Sequence, residues 1–346
     1  MGEQLLTEGR EPGTAQPRTA QPGTAQPGTA QEPVAAFQIH EFGRPPKEAL
    51  VLLPEVGSAD VLVKMTATVV SHHDLMLAAG VFPPQPSLPY VPGLEGAGHV
   101  VQAGADIDAG DFPPECVVRV YGGGLGATRP GTWSEYVVVP ARSVTRVPEG
   151  LDPLLAAACG SVAATAWAAV FQVGGLQAGE RLGVTGATGA VGSLALQLGA
   201  ENGARSRVGW VRTAARSSRV PAGVEVLEAG DAPTEPVDLL VDTVGGPLFE
   251  SHLEAVRPGG RAVLVGYTAG ERVCILLPDL LVHDVTLQPL NMMRRRVPKE
   301  VEASLLAGFA EGRLQVAIER FDRGGMFAAI ERLRAGEASG RLVLEW

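Results

Sequence analysis

The chain has 346 residues, 45% of them hydrophobic, a length that suits two globular domains of ordinary size. Acidic residues outnumber basic ones, 38 to 28, and the formal charge of −10 argues against nucleic acid or another polyanion as partner. Three scattered cysteines, Cys116, Cys159 and Cys274, exclude a disulfide framework or a four-cysteine zinc lobe and fit a reducing, cytoplasmic setting.

Residues 12–31 hold four tandem copies of Pro-x-Thr-Ala-Gln, beginning at Pro12, Pro17, Pro22 and Pro27. Nothing in that unit builds a core, so residues 1–32 read as an extended, disordered tail, with no secretory h-region. From Val34 to about Val147, short apolar runs alternate with Gly and Pro: 61–65, 98–101, 116–120 and 135–139. That pattern predicts an all-β, barrel-like unit. Between Asp152 and Glu180 no residue is charged. The segment is alanine-rich and broken by Gly160, Gly174 and Gly175, which predicts tightly packed buried helices and no membrane span.

Next comes a strand-like 182–185 and the turn Gly186-Ala187-Thr188-Gly189-Ala190-Val191-Gly192. Residues without side chains let the backbone turn sharply and let a pyrophosphate approach, while a helix N-terminus offers free N–H groups to the anion. Val191, Leu194, Ala195 and Leu198 then fall on one helical face, and a second strand follows over 205–211. Further strands are expected at 237–242 and 262–265, the latter fed by a turn at Arg257-Pro-Gly-Gly260. Such alternation implies a parallel, doubly wound α/β sheet. Beyond Pro298 the pattern gives a helix, a strand-like 315–319, another helix and a closing strand at 341–344 that returns to the first unit.

Ordered motifs carry a resemblance that runs almost end to end. They are Pro92-Gly-Leu-Glu-Gly-Ala-Gly-His-Val, Gly131-Thr-Trp-Ser-Glu-Tyr-Val-Val-Val-Pro, the Gly186–Gly192 turn, Val241-Asp-Thr-Val-Gly-Gly, Arg257-Pro-Gly-Gly-Arg and Ser339-Gly-Arg-Leu-Val-Leu. The chain resembles the medium-chain dehydrogenase/reductase superfamily, within it the zinc-independent, zeta-crystallin-like quinone oxidoreductase branch. The resemblance implies a GroES-like catalytic domain (33–153 and 291–346), an inserted Rossmann domain (154–290) and a cleft between them. It also implies a homodimer or homotetramer joined through an edge strand of the Rossmann sheet, with Arg272–Leu277 as candidate.

An NAD-selective site places an acid about 20 residues past the glycine turn. Here Arg212 stands there, Arg216 and Arg219 follow, and no acid occurs between Gly203 and Gly223. A guanidinium pairs with a 2′-phosphate that a carboxylate would repel, so NADPH is the expected cofactor. Val244, Gly245 and Gly266 lie just past two Rossmann strands and join the cofactor set. Asn291, in the loop returning to the first domain, is assigned to the cofactor amide.

Zinc-dependent relatives carry Cys, His and Cys where this chain has Ser71, Leu94 and Cys159. A catalytic zinc needs three protein ligands, so no metal is expected. Ser71-His72-His73-Asp74 with Glu95 is a poor alternative, because adjacent histidines in a strand point to opposite faces. Without a Lewis acid, the chemistry that remains is hydride transfer to a quinone or an activated C=C bond, with donors stabilising the oxyanion. His73 and Tyr121 are the candidate donors, and Asp74 is a pocket residue that holds a histidine or a turn. Two other functions compete: an alcohol dehydrogenase or carbonyl reductase of the same superfamily, and a low-turnover NADPH-binding scaffold. The expected partner is a small quinone or enone, with no nucleic acid and no membrane.

Overall fold

The computed structural model describes residues 33–346 apart from Pro84. The Pro-x-Thr-Ala-Gln copies lie outside the described residues.

A hairpin of β1 (Pro33–Gln38) and β2 (Lys47–Leu52) precedes a seven-stranded sheet. The long central strand β3 (Asp60–Val70) pairs antiparallel with β4 (Glu95–Ala103), β6 (Tyr136–Pro140) and β15 (Arg341–Glu345). β5 (Val117–Tyr121) and β7 (Val144–Arg146) extend one side, and β14 (Ile318–Phe321) the other. Valine at alternate positions of these strands fills a buried cluster that includes Val61, Val63, Val118, Val120, Val137 and Val139. That period is what a sheet with one covered face requires. β15 brings the C-terminus back to the first sheet, as its sequence position suggests. The strand before it begins three residues later than 315–319 would place it.

The second sheet is wholly parallel, in the order β10 (Glu225–Glu228), β9 (Ser206–Val211), β8 (Arg181–Thr185), β11 (Val237–Asp242), β12 (Val256–Leu264) and β13 (Thr286–Pro289). Counted within the unit this is 3-2-1-4-5-6, with its switch point between β8 and β11. β12 starts earlier than expected, and the Arg257–Gly260 stretch forms an irregularity inside it, between the Val237–Val256 and Leu239–Arg261 pairs. Arg272–Leu277 is not a strand: Leu277 opens a short helix (Leu277–His283), and β13 is the sheet edge. The expected edge strand was therefore misplaced by about a dozen residues, because Ile275, Leu276 and Leu277 form a short apolar run that a Pro278 helix start also explains.

Between the sheets runs α2 (Pro153–Trp167), prolonged by a π-helical turn to Val173. Asp152 caps it, accepting the Leu154 amide at 2.9 Å, and Pro153 occupies the first turn where no N–H is needed. An 18-residue stretch of this 21-residue helix has a mean hydropathy of 1.8, enough by length and composition to cross a bilayer, but 72% of that stretch is buried within the protein. Its alanines pack with Ala67, Val69 and Ala97 of the first sheet and with Leu182, Val184 and Leu239 of the second in one cluster. Small side chains let both sheets approach the same helix, which is why the segment is apolar all round.

Candidate active site

The turn after β8 is built by backbone constraints. Gly186 has φ +64°, a region that L side chains rarely adopt, and a Cβ at Gly192 would collide with the Gly186 carbonyl. Helix α3 (Ala190–Glu201) starts from Gly189, which offers no capping side chain. Its first bond runs from the Ser193 amide to the Gly189 carbonyl at 2.9 Å. The amides of Ala190, Val191 and Gly192 precede that bond and have no partner inside the helix. They form the positive end of its dipole, a ready anion site. The Ala187 amide donates to the Trp210 carbonyl, 3.1 Å, and fixes the turn to β9.

A polar clamp holds the switch point beneath it. Thr185 Oγ1 donates to Asp242 Oδ1 at 2.5 Å and accepts the Thr243 amide at 2.9 Å. Thr243 Oγ1 donates to the Thr185 carbonyl, 2.7 Å, and the Gly245 amide donates to Asp242 Oδ2, 2.9 Å. Asp242 is wholly buried, and burial raises its pKa above the ordinary carboxylate value. Gly266 presses on the Thr243 carbonyl so closely that a Cβ would clash. Gly186, Val244, Gly245 and Gly266 thus come together at the ends of three neighbouring strands. Sequence reasoning missed Thr185 and Thr243; a Thr closing one strand and an Asp-Thr closing the next is the signal that marks them.

The arginines separate. Arg212 is exposed at the end of β9 and makes no ion pair among the described residues. Arg216 lies in the 3-10 turn Ala214–Arg219, with Nη2 3.5 Å from the Gly336 carbonyl. Only Arg219 lines the cleft of about 630 Å³ that also holds Thr188 and Ala190, facing Arg313 and Ser339. A carboxylate that local spacing conceals also reaches this corner: Glu228, at the end of β10, accepts the Ala214 amide at 2.7 Å.

The opposite wall begins at α1 (His72–Ala78). His72 and His73 occupy the first turn of a helix, not a strand, so the argument from opposite strand faces does not apply to them. Ser71 and Asp74 form a capping box: Asp74 Oδ2 accepts from the Ser71 amide and hydroxyl at 2.9 and 2.5 Å. Asp74 Oδ1 accepts the Leu94 amide at 3.2 Å, tying α1 to the start of β4. Burial pushes the Asp74 carboxyl up to about 6. Both histidines keep exposed surface, yet the crowding protein, then the Arg341 guanidinium, lowers their pKa values. Glu95 accepts from Ser161 Oγ at 2.6 Å and pairs with Arg341, and this pair acts electrostatically on both His73 and Tyr121. Burial, then Glu95, raises the Tyr121 pKa, which keeps the phenol protonated. From the second sheet, Tyr267 reaches across to α1, its hydroxyl 4.0 Å from Met76 Sδ. Asn291, two residues past β13, is exposed, and its Oδ1 accepts the Met293 amide within its own turn.

The three positions compared with zinc ligands do not form a ligand set. The Ser71 hydroxyl is committed to Asp74, and Leu94 has no donor atom. The Cys159 thiol is turned to the Ala156 carbonyl at 3.7 Å and pushed up to about 12 by burial. Among the described residues no group of three His, Cys, Asp or Glu could hold a metal ion. A nicotinamide dinucleotide does fit: the glycine cradle, the three free amides and the switch-point floor are the features it needs.

Residues 57–149 match the alcohol dehydrogenase GroES-like domain, and residues 215–344 match the zinc-binding dehydrogenase family. The chain belongs to the medium-chain dehydrogenase/reductase superfamily. As a member of it, the protein is an oxidoreductase built from a GroES-like unit and a Rossmann-like parallel sheet. Among superfamily relatives, bovine (Bos taurus) prostaglandin reductase-3 is 29% identical over 231 residues, covering 63% of this chain but only 58% of that protein. An alcohol dehydrogenase of Geobacillus stearothermophilus is 27% identical over 340 residues, 89% of this chain and 97% of the relative. The crystal structure of AibC superposes with a TM-score of 0.82 at 24% identity, over 91% of this chain and 96% of the other.

Proposed function

We propose that this superfamily member uses NADPH to reduce a quinone or an activated C=C bond (enone, enal or enoyl) without catalytic zinc. One observation carries the reading: the three positions that would ligate zinc hold a committed hydroxyl, a leucine and a buried thiol held protonated by its surroundings. Alkoxide chemistry then loses its usual Lewis acid, whereas conjugated acceptors need only donors placed where charge develops. The branch to which the motifs point, the likeness to a prostaglandin reductase and the absence of a local acid after Arg212 support it too.

When bound, the reduced nicotinamide supplies the hydride. The amides of Ala190, Val191 and Gly192, with Ala187, Thr188 and Gly189, hold its pyrophosphate. Val244, Gly245 and Gly266 border its nicotinamide half. Arg212 and Arg216 receive the 2′-phosphate, and the cleft position of Arg219 makes it a third claimant. Tyr121 donates its phenolic proton toward the acceptor oxygen. His73, neutral at pH 7 by its lowered pKa, assists as donor or relay, and Asp74 fixes the helix that carries it. The chain divides functionally at 153/154 and 290/291, works as a homodimer or homotetramer, and acts in a reducing cytoplasm that keeps its three cysteines free.

Metal analysis of the purified protein, paired with NADPH and NADH titrations, tests this. The expected result is far less than one zinc per chain and tighter binding of NADPH. One zinc per chain, or tighter binding of NADH, would overturn it.

A further inference from the structure

Arg119 lies on β5 two residues before Tyr121, on the same face of the strand. It is 3% exposed, yet its Nε and Nη2 have no hydrogen-bond partner, and it forms no ion pair among the described residues. Its one aromatic contact is the Tyr121 ring, 5.2 Å from Cζ to centroid. Buried guanidinium groups are ordinarily paired, because an isolated charge out of water is strongly disfavoured. The carboxylate on the same side makes no bond to it. Glu95, opposite Tyr121 in the β4–β5 register, gives Oε1 to Ser161 and Arg341, while its Oε2 is left without a partner and without a bond to Arg119.

A second observation shows that the chain makes room for this charge. Helix α2 passes over Arg119 at Gly160, and a Cβ there would collide with Nε and Cζ of the guanidinium. Glycine inside a helix weakens it relative to alanine. The helix therefore gives up stability to seat a side chain that no protein acceptor satisfies. The fork of N–H donors suits a carboxylate. Glu95 on the same face disfavours the second charge of a phosphate.

We infer that Arg119 anchors a carboxylate carried by the acceptor itself, placing the conjugated group of that acceptor against Tyr121. The inference rests on the reductase reading above and narrows its substrate class to anionic enones or quinones. With an enone, hydride would add at the β-carbon and a solvent proton at the α-carbon; with a quinone, hydride and one proton would give the hydroquinone; in both, NADPH is oxidised to NADP⁺.

The test compares 4-(3-oxobut-1-enyl)benzoate with its methyl ester, following NADPH oxidation. The expected kcat/KM favours the acid by about tenfold or more, the scale of a charge-assisted bidentate contact. Arg119→Met and Gly160→Ala, the second of which keeps the arginine but takes its seat, should each bring the acid-to-ester ratio close to one. A wild-type ratio near one, or a ratio that neither variant changes, would overturn the inference. If neither compound is reduced, the reductase reading fails on its own, and calorimetric titration of the benzoate into the protein decides the anchor. Binding that both variants lose sustains it; no binding, or equal binding in all three proteins, overturns it. Should either variant fail to fold, the wild-type comparison of acid and ester still decides.

Discussion

At the scale of single residues, the account makes separate demands on the two ends of the cleft. Arg212→Asp should weaken NADPH about 10- to 100-fold while sparing NADH, the range of one charge-assisted contact. Fluorescence titration with both cofactors checks this, and equal weakening would remove Arg212 from the 2′-phosphate site. Tyr121→Phe should lower kcat/KM about 100-fold, the scale of a lost proton donor, with little change in melting temperature. These residues differ in how much of their role was legible. The glycines at 186, 189 and 192 were readable because a backbone constraint leaves its mark in the sequence itself. The Arg119–Gly160 seat was not, since it joins a strand and a helix 41 positions apart. Glu228 escaped for the same reason: it reaches the arginine loop from the next strand, through the fold and not along the chain.

At the scale of elements, the glycine turn and the α1 cap can each be probed by one substitution. Gly192→Ala places a methyl group against the Gly186 carbonyl, so a loss of about 1–3 kcal/mol in stability is expected, with weakened cofactor binding. Chemical denaturation with and without NADPH measures both. Asp74 sits in the cap with its carboxyl raised from 3.8 to about 6 by burial. The native state then retains a proton that the unfolded chain releases, so this contribution is full below about pH 4 and falls away as pH rises through about 6. Relative to Asp74→Asn, wild-type stability should decline by about 3 kcal/mol across that window. A difference that stays flat between pH 4 and pH 7 in urea unfolding would contradict the burial argument. Element types were readable wherever a period was sustained: 237–242 matches β11 residue for residue. β10 and β13 were missed because four-residue strands at the sheet edges carry too little pattern, and His72-His73 was misread because a short capped helix leaves no apolar period.

At the scale of the whole molecule, the apolar stretch after Asp152 is explained by its position between two sheets, which its own composition anticipates. One group of exposed apolar side chains lies on the helix 277–283, which packs against β12: Leu277, Leu281 and Val282 are 67%, 77% and 78% exposed. A patch of this kind marks an interaction site. On the oligomeric reading, Leu281→Asp should shift the protein to monomers in light scattering, whereas a monomeric wild type would refute that reading.

The central claim is most directly tested by turnover after exhaustive chelation. Protein freed of metal is mixed with NADPH and a panel of quinones and conjugated enones, and the absorbance of the reduced nicotinamide is followed. The account predicts oxidation of NADPH at an undiminished rate with no zinc present. Turnover that disappears with the metal and returns when zinc is restored, or no oxidation with any acceptor, would contradict it.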